Sequence, residues 1–350
     1  MQPAKDPGVL ELGKEYPQPN EEELIQQLLA IRRPHVKQGP SGKFLRESHP
    51  KHHGCVRAEF IVEPGLPSEL RVGVFAKEST YPAWIRFSNA NGLRSDGTYR
   101  PDINRDVRGA ALKLMGVAGE KILAGEENET TQDFLLISAD ALIAHDLAAF
   151  VKLLGELKVF TLLWYFFNPL NPHLRELGIG LRSPIRIGNP LDIEYFSVVP
   201  YLFGEGVAVK YKLRPMLDRP SQAPFFPPPD YLRAAMQERL TSGEARFDLL
   251  VQLQTDPYKM PVEDPSIVWD ESVSPFLKVA TVRIPAQRFD SPEQMDFCEN
   301  LSFTPWHSLP QHRPLGGLNR ARRVVYEELS KLRHELNHVP RREPSPEGSF

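Results

Sequence analysis

Short extended segments, set close together and separated by Pro and Gly, constrain this chain more than any other feature. Residues 56–62, 71–75, 83–87, 134–138, 193–200, 207–213, 247–254 and 278–284 read as strands. So many short strands at close spacing predict a β-barrel. Helical patterns cover 21–33, 140–157, 231–240 and 321–336, the last of these without Gly or Pro. These helices pack outside the barrel, which makes the fold class α+β. The chain has 34 Pro in 350 residues, about twice the usual share, so long irregular stretches wrap the core.

Composition excludes several function classes. The chain is 41% hydrophobic and 25% charged, enough for a full core. A net charge of −3 gives no nucleic-acid footprint. There is no internal repeat, Gly-rich phosphate loop or dinucleotide fingerprint. Residues 1–16 lack the apolar core of a signal peptide. The apolar run 159–167 is short of the ~20 residues that span a bilayer, so a buried helix is expected, with a membrane-facing or fatty-substrate role as the alternative. Two cysteines, Cys55 and Cys298, are too few for a disulfide framework. Free thiols in a reducing cytoplasm are the expectation.

On the last helix Arg322, Tyr326 and Arg333 share one face, at spacings of four and seven. Neighbouring cations favour a phenolate over a phenol. A free phenol titrates near ~10, so ionising it at neutral pH takes about 4 kcal/mol of environmental help. A phenolate suits a hard ferric ion. A Tyr stacked under surface arginines is the other reading of the same triplet.

A second cluster lies upstream, Arg46-Glu-Ser-His49-Pro-Lys-His-His-Gly54-Cys-Val-Arg-Ala-Glu-Phe60. Pro50 biases His49 away from helical geometry, so His49 is expected at the start of an extended segment. Pro50 also spoils a helical pairing of His49 with His53. No CxxC or carboxylate stands beside His49, His52 and His53 to complete a zinc site.

Arg-x-x-His-x-Lys-x-x-Gly leading into a strand resembles the distal haem signature of the catalase family. Trp84-Ile-Arg86-Phe-Ser88-Asn, Arg105-Asp-Val-Arg108-Gly109, Asp264-Pro-Ser-Ile-Val-Trp269 and Arg322-x-x-x-Tyr326 resemble further family segments in the family's order. The resemblance spans roughly residues 40–340. It implies an antiparallel barrel with haem b held between barrel and helices. Tyr is the axial haem ligand that general principle itself gives for catalase, and here that role falls to Tyr326, with Arg322 one turn before it. His49 becomes the distal acid–base residue, and Ser88 fixes its ring. Arg46, Arg86 and Arg333 match propionate-binding positions, and Phe150 a Phe on the haem face. The organisation implied is an arm over 1–45, a haem domain over 46–337 and a disordered tail over 338–350. Within the haem domain the strands occupy about 56–290 and the proximal helices about 291–337.

Two departures stand out. No Asn follows the strand at 132–138, so the family's distal Asn is replaced by Ser138 or by nothing. Ser48 precedes His49 where true catalases carry an apolar residue, a point of similarity to catalase-type allene oxide synthases. A hydroxyl there is expected to compete for the imidazole proton. The resemblance therefore implies a haem peroxidase of hydrogen peroxide or organic hydroperoxides rather than a fast catalase. Fatty-acid hydroperoxide isomerisation and a non-catalytic haem barrel are the alternatives. The expected partners are a small-molecule peroxide and a reductant, and a homo-oligomer is left open.

Overall fold

The computed structural model describes residues 9–155, 159–170 and 172–346, with the backbone alone for 159–161. Expectations for 1–8, 156–158, 171 and 347–350 lie outside the described residues. The strands are β1 (Lys51–Val62), β2 (Thr80–Asn89), β3 (Arg108–Met115), β4 (Thr131–Ile137), β5 (Tyr195–Phe196), β6 (Tyr201–Leu202), β7 (Ala208–Pro215), β8 (Ala245–Leu253) and β9 (Leu277–Ile284). They pair antiparallel in the order β5-β4-β3-β2-β1-β9-β8-β7-β6, and β5 also pairs β7. That last pairing closes eight strands into a barrel, with β6 attached to β7 beside the ring. Around it lie α1 (Glu21–Arg32), α2 (Leu147–Gly155), α3 (Val159–Phe167), α4 (Leu174–Arg182), α5 (Tyr231–Ser242), α6 (Pro292–Asn300) and α7 (Gly317–Asn337).

Aromatic side chains fill the barrel. Phe60 stacks on Phe134 with ring centres 5.9 Å apart, and Phe134 meets Tyr211 edge-on at 5.1 Å. Along β2, Ile85 and Phe87 join this interior, while Trp84 packs outward against Cys298 and Phe297. Residues 83–89 are buried on both faces, so burial does not alternate along the strand although Ile85, Arg86, Phe87 and Ser88 alternate apolar with polar. A side chain on the outer face of β2 is therefore also inside the molecule, and Arg86 and Ser88 are such side chains.

Several expectations need correction. Residues 71–75 form no strand but a 3₁₀ turn at Gly73–Phe75. Gly73 has φ +53°, and the His312 ring fills the space where a Cβ would go, so the chain turns over it. The predicted strand 193–200 is only β5, because Val198 adopts φ +64° and breaks it. The helix at 140–157 begins only at Leu147, after Asp146, whose carboxylate accepts from the Ala149 N–H at 2.7 Å. The helix of the apolar run 159–167 is buried on one side only: Tyr165 and Phe166 are covered, whereas Leu163, Trp164 and Phe167 are more than half exposed. No helix among the described residues is long and apolar enough to cross a membrane.

Cys55 and Cys298 are not free. They form a buried disulfide between β1 and α6, with Cα atoms 5.4 Å apart and 243 residues between them in sequence. Two cysteines so distant in sequence gave no sign of meeting. The expected cytoplasmic setting loses the support it drew from free thiols.

Within the tail expected to be disordered, Glu343 reaches a buried lysine on the barrel. Lys113 on β3 is fully buried, and its ammonium lies 2.8 Å from Asp133 and 2.6 Å from Glu343. Glu343 also accepts from the Thr131 hydroxyl at 2.9 Å. A buried ammonium needs both acceptors, so the tail is drawn in by charge and not by apolar contact. Glu343→Ala should lower the unfolding free energy by about 1–3 kcal/mol, the weight of an unsatisfied buried donor. Urea unfolding followed by circular dichroism measures this, and an unchanged midpoint would mean that the tail is not held there.

Candidate active site

A cavity opens between the outer face of β2, β3 and β4 and the inner face of α7, with residues 46–49 along one side. It encloses about 950 Å³ free of protein atoms, the opening to solvent included. Ala111, Leu135 and Ile137 line its barrel wall and are only partly covered, although their strands are otherwise buried. Facing them on α7 are Arg322, Val325, Tyr326, Leu329, Ser330 and Arg333. This is one helical stripe at spacings of three and four.

The arm and the barrel clamp α7 at both ends. Its first turn meets Glu15 and Glu263, which accept from the Gly316 and Gly317 N–H groups at 2.9 and 2.7 Å. Anions there offset the positive end of the helix. Arg320 pairs with Glu21 at 2.6 Å and Glu263 at 3.1 Å, and with Glu15. At the far end the Asn337 amide exchanges two hydrogen bonds of 2.8 Å with the Phe44 backbone. Tyr326 is thereby held at a set height above the barrel wall.

His49 is not extended. It adopts φ +58°, a left-handed conformation that an L-residue before proline avoids. Such a residue costs about 1–3 kcal/mol and persists only where its surroundings hold it. Arg86 donates to its carbonyl at 2.8 Å, and Ser88 Oγ lies 3.1 Å from its Nδ1. Gly109 makes the room: a Cβ there would stand 2.6 Å from Nδ1 and 2.9 Å from Ser88 Oγ. Burial, followed by the charges of Arg86, Arg322, Arg46 and Arg32, pushes the imidazole down to about 3. His49 is therefore a neutral base at physiological pH.

Three arginines are gathered beside it. Arg46 donates to the Glu299 and Leu301 carbonyls at 3.0 and 2.7 Å, and Arg333 donates to the same two carbonyls at the end of α6. Arg86 is buried, and burial lowers its pKa well below the usual value, with Arg46 and Arg333 adding repulsion. The buried Glu299 carboxylate lies 4.0 Å from Arg46 and 3.8 Å from Arg333. Nε of Arg46 and Nε of Arg86 are buried without a hydrogen-bond partner. Arg322 stacks 5.8 Å from the Tyr326 ring centre and donates to Asn319 at 3.3 Å.

Two predicted site residues lie elsewhere. Ser138 is not among the residues lining the cavity; its Oγ accepts from the Arg108 N–H at 2.9 Å, which closes the strand end. Phe150 on α2 is outside the cavity wall as well, under the Arg32 guanidinium at 5.6 Å. Ser48 does line the cavity, but its hydroxyl donates to Glu47 at 2.7 Å and does not compete for the imidazole. His52 faces Glu299 at 3.5 Å and His53 faces Asn89 at 2.9 Å, so the upstream histidines diverge. Sequence reasoning missed Glu47, Ser197 and Glu299. The last had a signal: a carboxylate at the negative end of a helix needs cations nearby.

No family profile matches the sequence, and no curated protein matches it. Solved structures do match. A fungal catalase superposes with a TM-score of 0.64 at 16% identity, over 96% of this chain and 68% of its own. Catalase A from Saccharomyces cerevisiae gives 0.64 at 17%, over 96% and 71%. A bacterial catalase gives 0.63 at 16%, over 99% and 70%. The chain has the catalase fold. At this identity the likeness is one of architecture, in which both this barrel and its C-terminal helix take part.

The buried histidines make this catalase-fold chain sensitive to acid. His49 is lowered to about 3, and His53 and His312 to about 4, in each case chiefly by burial. The unfolded chain binds these protons near pH 6.5, so it carries more protons than the native state between about pH 6.5 and 4. Stability therefore falls with pH in that window, by up to about 1.4 kcal/mol per pH unit for each histidine. Denaturant titrations at pH 7, 6, 5 and 4.5 should show a steep loss. A flat profile would contradict the burial of these rings.

Proposed function

We propose that this chain is a haem-dependent oxidoreductase that cleaves hydrogen peroxide or organic hydroperoxides. The single observation that carries this reading is the charge balance of the cavity. Arg46 and Arg333 share one buried carboxylate, Glu299, and Arg86 feels it only at longer range, so three guanidinium groups face one anion and two positive charges are left unmatched. Two of those groups keep a buried donor without a partner. A planar, apolar dicarboxylate answers both needs, and haem b is one. The apolar pair of walls, Leu135 and Ile137 facing Val325 and Leu329, suits its ring.

In this reading Arg46, Arg86 and Arg333 hold the carboxylates, and Tyr326 is the iron ligand, with the Arg322 guanidinium stacked on its ring. When bound, haem supplies the redox chemistry of peroxide cleavage. His49 supplies the proton chemistry. In the tautomer in which Nδ1–H donates to Ser88, Nε2 carries the lone pair that takes a proton from the hydroperoxide and returns it to the leaving oxygen. The strained backbone fixes the direction of that lone pair, and the charges around the ring keep it neutral.

Substrate choice follows from what the cavity lacks. Ser138 is spent on the Arg108 backbone, and Ser197 Oγ donates to the Val199 carbonyl, so neither presents a donor to a small peroxide. The apolar barrel wall favours an organic hydroperoxide. This observation also supports the second reading, isomerisation or dehydration of fatty-acid hydroperoxides, which needs no external reductant. A small phenolic or similar reductant is the second partner of the peroxidase reading.

Two measurements test the proposal. Purified protein reconstituted with haem should bind one equivalent with a high-spin ferric spectrum, and Tyr326→Phe should lose most of it. Full retention with the same spectrum would remove Tyr326 as ligand. His49→Ala should keep the haem but react with hydroperoxide about 10²-fold more slowly in stopped flow, the weight of a positioned acid–base group. Equal rates would leave a non-catalytic haem barrel.

A further inference from the structure

Away from the cavity, two histidines and a glutamate converge where the chain enters α4. His173 precedes α4, Glu176 lies in its first turn, and His145 stands just before α2. Their ligand atoms lie within 4.8 Å of one another. Nδ1 of His145 is 3.2 Å from Glu176 Oε1, and Nδ1 of His173 is 3.6 Å from the same oxygen. We propose that His145, His173 and Glu176 form a zinc-binding site, independent of the haem reading.

Geometry and chemistry both point to this ion. Tetrahedral zinc holds nitrogen and carboxylate oxygen at about 2.0–2.2 Å, so neighbouring ligand atoms stand about 3.3–3.5 Å apart. The two nitrogen–oxygen separations bracket that value, and all three ligand atoms lie within 4.8 Å of one another. A hydrogen bond accounts for one of the separations, whereas 3.6 Å is beyond hydrogen-bond reach. Packing holds the His173 ring in place: Tyr165 stacks on it at 4.2 Å and 4°, with the His145 ring centre 5.6 Å away. Glu176 is buried and held below the usual carboxylate range despite its desolvation, by its own backbone N–H and by His145. Imidazole with carboxylate is a donor set suited to zinc.

A neighbouring cluster gives the contrast. Glu126, His307 and Glu343 also approach one another, but the Lys113 ammonium stands among them, 2.6 Å from Glu343 and 3.3 Å from His307. That site already holds its cation. At Glu176 the nearest cation is Arg175, 3.7 Å away, half exposed and shared with Asp264. His145 is about a third exposed, which leaves a fourth position for water. A bound ion would tie the entry of α4 to the segment before α2.

The test is zinc titration of the full chain at pH 7.5 against a chromophoric chelator, with and without haem. One equivalent should bind with a dissociation constant below 10 µM in both. His145→Ala and the near-isosteric Glu176→Gln should each weaken binding at least 50-fold, while their circular dichroism matches wild type. Zinc should raise the melting temperature of wild type and of neither variant. Affinity should also be weaker in acid, because only deprotonated ligands bind zinc. A constant above 10 µM, an adventitious ion only, would overturn the proposal, as would a variant that binds as well as wild type. Because none of these readouts involves peroxide, failure here leaves the haem reading untouched, and the reverse.

Discussion

Positive charge confined between the barrel and α7 is the constraint on which the rest of the structure depends. Arg46, Arg86 and Arg333 are drawn out of water with Glu299 as the anion among them. Taking guanidinium groups into a low-dielectric site costs several kcal/mol each unless charge and hydrogen bonds compensate. The compensation comes from unusual sources. The end of α6 offers its carbonyls, so Arg46 and Arg333 are bound by a helix terminus whose partial charge is negative. Arg86 spends a donor on the carbonyl of His49, and this contact helps to hold that residue in its strained conformation. The same charges that suit a dicarboxylate thus also help to fix the base and keep it neutral.

Supports far from the cavity serve this arrangement. The Cys55–Cys298 bridge ties α6 to β1, and so ties the carbonyls that hold two arginines to the strand that follows His49. The clamp on α7 by Glu15, Glu21, Glu263 and Phe44 fixes the opposite wall. The barrel is the rigid member between them, with stacked aromatics inside and a largely buried outer face on β2 and β3. Neither wall belongs to one local stretch of chain, so the site depends on the completed tertiary structure.

Much of the barrel was legible in the sequence, because strand-like runs of five to eight residues between Pro and Gly leave few other folds. The stripe on α7 was legible for a similar reason: a helix without Gly or Pro has a fixed period, so Arg322, Tyr326 and Arg333 had to share a face. The failures have physical causes. His49 lies outside its intrinsic preference because tertiary contacts override the effect of Pro50. Residues 71–75 and 193–200 carry strand propensity but meet a turn over His312 and a break at Val198. Ser138 occupied the expected place in sequence, yet the Arg108 backbone claims its hydroxyl. The disulfide and the Lys113–Glu343 pair join residues more than two hundred positions apart, and pairing at that range leaves no local pattern.

The clamp on α7 also sets an order of events. The arm's share of that grip, Glu15, Glu21 and Phe44, precedes every barrel strand in the chain, whereas Glu263 follows β8 and Tyr326 follows every strand. On a ribosome the arm's share is made first and the wall it holds is made last. Until α7 emerges, the outer faces of β3 and β4 have no cover on that side, and no slot exists to receive a flat ligand. The cavity is thus completed only when synthesis has passed the whole barrel.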